Sequence, residues 1–443
     1  MSDLVPILTR KYFPESAETL VIGGIPASQL ADAWGTPLFA YDRALLDARY
    51  DALRAALPKR FSIYYSIKAN PNSTILRHFL RRGCGLEIAS GGEFHRAIEA
   101  GCAPSRMLFA GPGKSVAELE LALSHGIGEI HVESFCEIER VAQICRRRGI
   151  RGQVAIRINP AGEAEGGAMR MGGRPAQFGL DEEVLDQVVD TVLRKPELEL
   201  TGVHLFTGTQ ILDAAVLLGQ YLHGLVLARR VARMSGKPLH RLDFGGGLGI
   251  PYFPHEQELN LDAVRNGLQA LCSEIDGDEN LSGTEFLVEP GRFLSGEAGI
   301  YVTRISDIKV SRGKKFLIVD GGMNHHLAAS GNLGQAIKRN FPIAILNKLT
   351  LPAQDAVDIV GPLCTPLDTL ARGILLPPAE IGDLIGIFQS GAYTRSASPL
   401  GFLSHPTPPE IWVDSGQSEV IQGRRDLDWA SPCMAGEAAG ADR

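Results

Sequence analysis

The chain has 443 residues, 44% hydrophobic and 21% charged, with a formal net charge of −7. That length exceeds one ordinary core, so two domains are expected, and the acidic balance argues against nucleic acid, whose phosphates need a basic face. No window approaches a membrane-spanning apolar stretch. The N-terminal MSDLVPILTRKYF lacks the apolar core of a secretory signal. The seven cysteines, at 84, 102, 136, 145, 272, 364 and 433, form no CxxC pair and are odd in number. That pattern suits a reduced, cytoplasmic protein rather than a disulfide or zinc scaffold.

The first 35 residues are too short to fold alone and are expected to lend a strand to another domain. From 36 to 292 short apolar runs alternate with amphipathic segments. The eight runs are 61–66, 85–89, 107–110, 129–132, 154–158, 202–206, 241–244 and 285–288. Helical patterns cover 73–82, 92–100, 115–124, 135–148, 182–194 and 214–234. Eight strands alternating with helices predict a (β/α)8 barrel. A doubly wound sheet would want a phosphate loop after its first strand, and none is there. From 293 to 422 the pattern changes to strands, at 300–310, 315–320, 356–360 and 383–388, with glycine and proline punctuation. This predicts a separate β domain. Residues 423–443 read as a flexible tail. Arg146, Arg147, Arg148 and Arg151 form a basic run, read as a solvated helix end rather than a docking patch.

In such a barrel the chemistry gathers at the C-terminal ends of the strands. Those ends are polar here. The first carries Lys68 in YYSIKANPN, where an unpaired ammonium would be expensive to bury. The second carries Glu87, Ser90 and Glu93, and the fifth Arg157 and Asn159. The sixth carries His204, Thr209 and Gln210, and the seventh Asp243 followed by Gly245, Gly246 and Gly247. The eighth carries Glu289, Gly291 and Arg292. Three consecutive glycines let backbone N–H groups approach an anion. Loops after the seventh and eighth strands often build a phosphate site in this fold. His325 and His326 adjoin, and on a strand they would point to opposite faces, so no metal site is expected.

The ordered motifs YYSIKANPN, GLEIASGGE, GVHLFTGTQ, DFGGGLGIPY, EPGRFLSGEAG, VDGGMNHHL, GPLCTPLD and GAYTRSAS resemble those of the fold-type III pyridoxal-phosphate decarboxylases. That group contains diaminopimelate and ornithine decarboxylases, and the likeness covers roughly residues 20–420. It implies an alanine racemase-like α/β barrel with a C-terminal β-barrel or β-sandwich domain, and pyridoxal 5′-phosphate as cofactor. It makes Lys68 the Schiff-base lysine and Glu289 the partner of the ring nitrogen. It has Gly245–Gly247, Gly291, Arg292 and Tyr393 hold the phosphate, and places Glu87, Arg157, His204 and Thr209 around the cofactor. Cys364 would return a proton after decarboxylation, supplied across the interface of a homodimer whose sites use both chains. Arg292, Thr365, Asp368 and Tyr393 would meet substrate.

Two departures stand out. Relatives carry a ring-stacking histidine two residues after the position of His204; here it is Phe206, which can stack but not hydrogen-bond. The residue after the family's cysteine is acidic where a distal ammonium is recognised; here it is Thr365. Diaminopimelate decarboxylases also place an arginine and a tyrosine soon after their "DAGMN" strand, where this chain has GGMNHHLAASGNLGQAIKRN. The wording is more similar to a secondary-metabolism branch. That branch includes a decarboxylase of glutamate tethered to an acyl carrier protein, and siderophore enzymes. The expected activity is decarboxylation of an amino acid or amino-acid-derived substrate, carrier-bound or small. The alternatives are diaminopimelate decarboxylation, an amino-acid racemase, or a non-catalytic cofactor-binding homologue.

Overall fold

The computed structural model describes residues 4–161, 169–170, 175–333, 335 and 338–425. Eight parallel strands close into a barrel: Phe61–Ser66 (β1), Gly85–Ile88 (β2), Met107–Phe109 (β3), Glu129–Val132 (β4), Gly152–Asn159 (β5), Leu198–Leu205 (β6), Arg241–Asp243 (β7) and Glu285–Val288 (β8). The closing pair is β8 with β1, with Phe286 opposite Phe61. Strands covered by helices outside and by each other's side chains inside have no wet face. Accordingly every residue of β2, β3 and β4 is buried.

The helices start where capping residues stand. Asn72, Ser90, Ser134, Asp213 and Asn260 each accept a backbone N–H two or three residues on, satisfying a donor the helix leaves open. Each cap turns the chain back soon after a strand or loop. The strand-to-helix loops therefore collect at one mouth of the barrel. The helix Phe135–Arg148 ends at Gly149 in the left-handed region. Its Arg146 and Arg147 pair with Glu197 and Glu120, a solvated helix end.

A second, sheet-rich region follows the barrel. It contains Gly299–Ser311 (β9), Lys314–Val319 (β10), Ile343–Ile345 (β11), Asp355–Val360 (β12), Thr369–Leu376 (β13), Leu384–Ile387 (β14), Glu410–Asp414 (β15) and Gln417–Gln422 (β16). Its order runs β13–β12–β10–β9, then the early strand Leu38–Asp42, then β15–β16, with β14 and β11 branching from β9. The strand Leu38–Asp42 lies after residue 35, yet it pairs antiparallel with β9 and parallel with β15. A boundary at 36 would assign it to the barrel, whereas its hydrogen bonds belong to the second sheet.

His325 and His326 lie in a turn, not on a strand. His325 bonds to the Pro406 carbonyl and Tyr301, and His326 to Ser390 Oγ. Residues 426–443, with Cys433, lie outside the described residues. Among the described residues no helix is long and apolar enough to cross a membrane.

Phe39, on the early strand, is fully buried and packs 4.8 Å from the Tyr301 ring. Phe39→Ala is expected to lose about 3–5 kcal/mol of unfolding free energy. A urea titration that moves the midpoint, with an unchanged slope, checks it.

Candidate active site

Lys68 sits in a short turn, Ile67–Ala69, that follows β1 directly. Its Nζ lies 3.1 Å from Glu87 Oε2 and 3.2 Å from Oε1, at the end of β2. Glu87 is 1% exposed and also accepts the Ser66 hydroxyl, whereas the Lys68 side chain is 42% exposed. Burial lowers the Lys68 pKa, but Glu87, Tyr393 and Glu289 raise it further, so the free amine stays protonated. Glu93, just beyond, is pushed up to about 7 by burial and by Glu87.

Lys68 opens into a cavity of about 390 Å³ shared with Phe206, Thr209, Arg292 and Tyr393. The Phe206 ring centroid is 5.8 Å from Lys68 Nζ. The glycine turn packs against the same ring. A Cβ on Gly246 would come 2.6 Å from the Glu289 carbonyl, and one on Gly245 2.6 Å from the Leu205 carbonyl. Gly245 and Gly247 have φ of +67° and +95°. Only glycine meets both demands.

Arg292 begins the turn after β8, and its guanidinium donates to Tyr252 Oη at 2.9 Å and lies 4.7 Å from the Tyr393 ring. Its Nε is buried and, among the described residues, without a partner. A Cβ on Gly291 would meet Ala69 at 2.8 Å and Tyr393 Oη at 3.4 Å. Tyr393 holds φ of +55°, uncommon for an aromatic residue, and its N–H donates to the Ala69 carbonyl at 2.8 Å. That bond ties the second region to the Lys68 turn.

At the base of the site His204 Nε2 is 3.4 Å from Glu289 Oε2. Burial drives the His204 pKa down to about 4, against the pull of Glu289, so the imidazole is neutral at pH 7. Burial raises the Glu289 carboxyl, but the His204 hydrogen bond and the more distant Lys68 ammonium outweigh it and hold Glu289 below the usual carboxylate range. Arg157 bonds to Glu133 Oε1 at 2.7 Å, and Glu133 also accepts from Gly111 and Gly179 N–H groups.

Of the expected residues, Lys68, Phe206, Thr209, Arg292 and Tyr393 share the cavity, and Glu87, His204, Glu289 and the glycines adjoin it. Cys364, Thr365 and Asp368 do not line it. They occupy the loop between β12 and β13, with Cys364 exposed. The Asp368 carboxylate, expected at the substrate, points inward instead. It accepts from Met323 N at 2.6 Å and Leu363 N at 2.9 Å, which makes it a staple of that loop. Sequence reasoning missed Glu133 and Tyr252. Glu133 stands one residue past β4, so the rule that strand ends carry polar groups would have found it.

The family model for the pyridoxal binding domain of pyridoxal-dependent decarboxylases matches residues 43–296. An L-glutamyl-[BtrI acyl-carrier protein] decarboxylase of Niallia circulans is 37% identical over 90% of this chain and 94% of its own. A Staphylococcus aureus 2-[(L-alanin-3-ylcarbamoyl)methyl]-2-hydroxybutanedioate decarboxylase is 30% identical over 85% and 93%. Among solved structures, the diaminopimelate decarboxylase of Helicobacter pylori complexed with L-lysine superposes with a TM-score of 0.77 at 30% identity, covering 90% of this chain and 96% of that one.

The buried histidines give the apoprotein a defined acid limit. His204 and His325 have folded pKa values near 4 and His326 near 3, all lowered by burial from an ordinary 6.5. The unfolded chain therefore binds more protons below pH 6.5. Their contribution to stability is complete above 6.5 and falls as the pH drops toward 4, and unfolding near pH 5 should take up about three protons at these groups, offset in part by protons that the raised Glu93 and Asp243 carboxyls release. Urea midpoints measured from pH 7.5 to 4.5 should decline through that window; a flat profile would contradict the neutral assignments.

Proposed function

This chain belongs to the fold-type III pyridoxal-phosphate decarboxylases, enzymes that remove carbon dioxide from amino acids, and from that premise we propose that Lys68 holds the cofactor and that the substrate reaches the site through an uncharged link. The residues fit the group. Glu289 offers a buried oxygen with no partner, Oε1, and Arg292 a buried donor with none, Nε, among the described residues. The first suits a protonated ring nitrogen, and the second suits a phosphate beside the glycine turn. Phe206 supplies a flat wall between them. When bound, pyridoxal phosphate serves as the sink for the electrons left when the bond to the carboxylate breaks.

The chain's own residues do the rest. Glu87 keeps the Lys68 amine at the mouth of the cavity. Neutral His204 faces the ionised Glu289 without competing for its charge. Arg157, anchored by Glu133, closes the side of β5. Cys364, brought in by a second copy of the chain, returns a proton to the α-carbon. Thr365 meets the distal end of the substrate, and Asp368 shapes the loop that carries both.

The observation that carries the substrate reading is the cavity wall. The segment after β10 contributes Ala328, Leu333 and Gln335, and with Phe253 and Phe341 it makes an uncharged wall; the one carboxylate in the lining, Glu256, has its Oε2 taken by the Tyr252 and Phe253 N–H groups. Beyond it lies a second cavity of about 880 Å³ that shares Tyr252, Phe253 and Phe341 with the first. Its lining includes Lys338, Arg339 and Arg372, and no carboxylate among the described residues pairs with them. A neutral stretch followed by cations suits a glutamyl thioester on a phosphopantetheine arm. The curated name of the Niallia circulans relative describes a substrate of that kind.

Purified holoenzyme should release carbon dioxide from carrier-tethered glutamate. With meso-diaminopimelate kcat/KM should be lower by about 100-fold or more, since an unmatched buried charge costs several kcal/mol. Brisk turnover of free diaminopimelate would reject the substrate reading. The shared site has its own check. Lys68→Ala and Cys364→Ala, each inactive alone, should regain about a quarter of wild-type activity when mixed and reassociated, because half the dimers then hold one intact site. No recovery on mixing would mean that each chain is self-sufficient.

A further inference from the structure

Four ionisable side chains meet inside the barrel: His131 from β4, His204 from β6, Asp243 from β7 and Glu289 just past β8. None is more than 4% exposed. One polar atom of each lies within 4.8 Å of all the others. Among the described residues, Asp243 Oδ2, Glu289 Oε1 and the Nδ1 atoms of both histidines have no hydrogen-bond partner. Unsatisfied polar atoms in such numbers demand an arrangement of protons that pairs them.

The surrounding charges limit that arrangement. Arg157 is engaged by Glu133, and Lys68 by Glu87. Arg241 lies 3.8 Å from Glu129, which also accepts from His131 Nε2 at 3.1 Å and from Thr201. His131 Nε2 is 3.9 Å from Asp243 Oδ2, too far for a bond. No cation is therefore left for Asp243. Two carboxylates this close, in a dry setting, do not both ionise. Burial and the Glu289 charge push the Asp243 carboxyl well above its ordinary range, while Glu289 is held down.

Asp243 also has a fixed orientation. Its Oδ1 accepts the Gly245 N–H at 2.7 Å, and the Glu289 N–H donates to the Gly245 carbonyl at 2.7 Å. The remaining oxygen, Oδ2, has no partner among the described residues, and a carboxyl oxygen of Asp243 lies within 4.8 Å of one of Glu289. We propose that Asp243 is a positioning residue that stays protonated and donates from Oδ2 to Glu289 Oε1, locking the glycine turn and the ring-nitrogen carboxylate into one unit. This rests on the reading that Glu289 faces the cofactor ring nitrogen. The carboxyl proton leaves Glu289 as the single negative charge of the pair, and Oε1, which accepts it, keeps its second lone pair for the ring N–H. His131 and His204, rings 4.3 Å apart, fill the space behind.

The orientation makes an unusual prediction about substitutions. An asparagine at 243 would keep its oxygen on Gly245 N–H and present its amide N–H to Glu289, copying the protonated acid. Alanine would leave Glu289 Oε1 bare. The test compares wild type, Asp243→Asn and Asp243→Ala. In the apoprotein at pH 7, infrared spectroscopy should show a carboxylic acid band that Asp243→Asn removes. In the holoenzyme, cofactor labelled with ¹⁵N in its ring should report a protonated nitrogen in wild type and Asp243→Asn. Asp243→Ala should shift it toward the unprotonated value and weaken cofactor binding about tenfold.

An asparagine variant as impaired as alanine would overturn the proposal, as would a wild type without that acid band. Stoichiometric metal in the purified protein would overturn it too, since the same four groups could ligate an ion. Should the alanine variant fail to fold, the infrared comparison of wild type with asparagine decides alone. An unprotonated ring nitrogen in wild type, with the acid band present, would reject the reading of Glu289 and leave Asp243 protonated.

Discussion

A buried carboxylate whose nearest partner is a neutral imidazole is the constraint around which this molecule is arranged. Glu289 is 4% exposed, has a neutral imidazole on one oxygen, and leaves the other unpartnered among the described residues. Such a charge is costly unless a positive group meets it. The barrel strands that surround it place that cost at the one mouth where loops converge. Lys68 is drawn to the same mouth by Glu87 and by the more distant field of Glu289. With Lys68, Glu289 and Arg292 in the proposed roles, the site suits a ligand that is cationic at one edge and anionic at the other, with an aldehyde for the amine.

The same placement explains the glycines. Between β7 and the following loop the backbone runs so close to Glu289 and Leu205 that side chains cannot enter. That closeness suits the proposed phosphate site, with Arg292 approaching from the neighbouring strand end. Tyr393, in a left-handed conformation, bonds across to Ala69 and so couples the sheet-rich region to the turn that carries Lys68. The second region therefore lines the Lys68 cavity as well as carrying the Cys364 loop.

Much of this was legible in the sequence because the signals are local. Alternating apolar runs set the eight strands, and polar residues at their ends marked Lys68, Glu87, Arg157, His204 and Glu289. What was not legible depends on pairing between distant segments. The strand Leu38–Asp42 reads like an entry to the barrel, and only its partners, β9 and β15, reveal its sheet. Asp368 reads as a substrate ligand, and only the inward turn of its loop shows that Met323 and Leu363 consume its carboxylate. His325 and His326 read as strand neighbours, whereas glycine-rich sequence makes a turn there. His131 carried no motif signal, and Asp243 read only as the polar strand end before the glycine turn, because their meeting comes from strands that are not adjacent in the chain.

The claim on which the rest depends is that Lys68 forms the covalent link to pyridoxal phosphate. Borohydride reduction of the holoenzyme followed by peptide mass mapping tests it directly. A single phosphopyridoxyl label is expected on the peptide containing Lys68, absent from Lys68→Ala. A label on another lysine, or none in a protein that still releases carbon dioxide from its substrate, would contradict it.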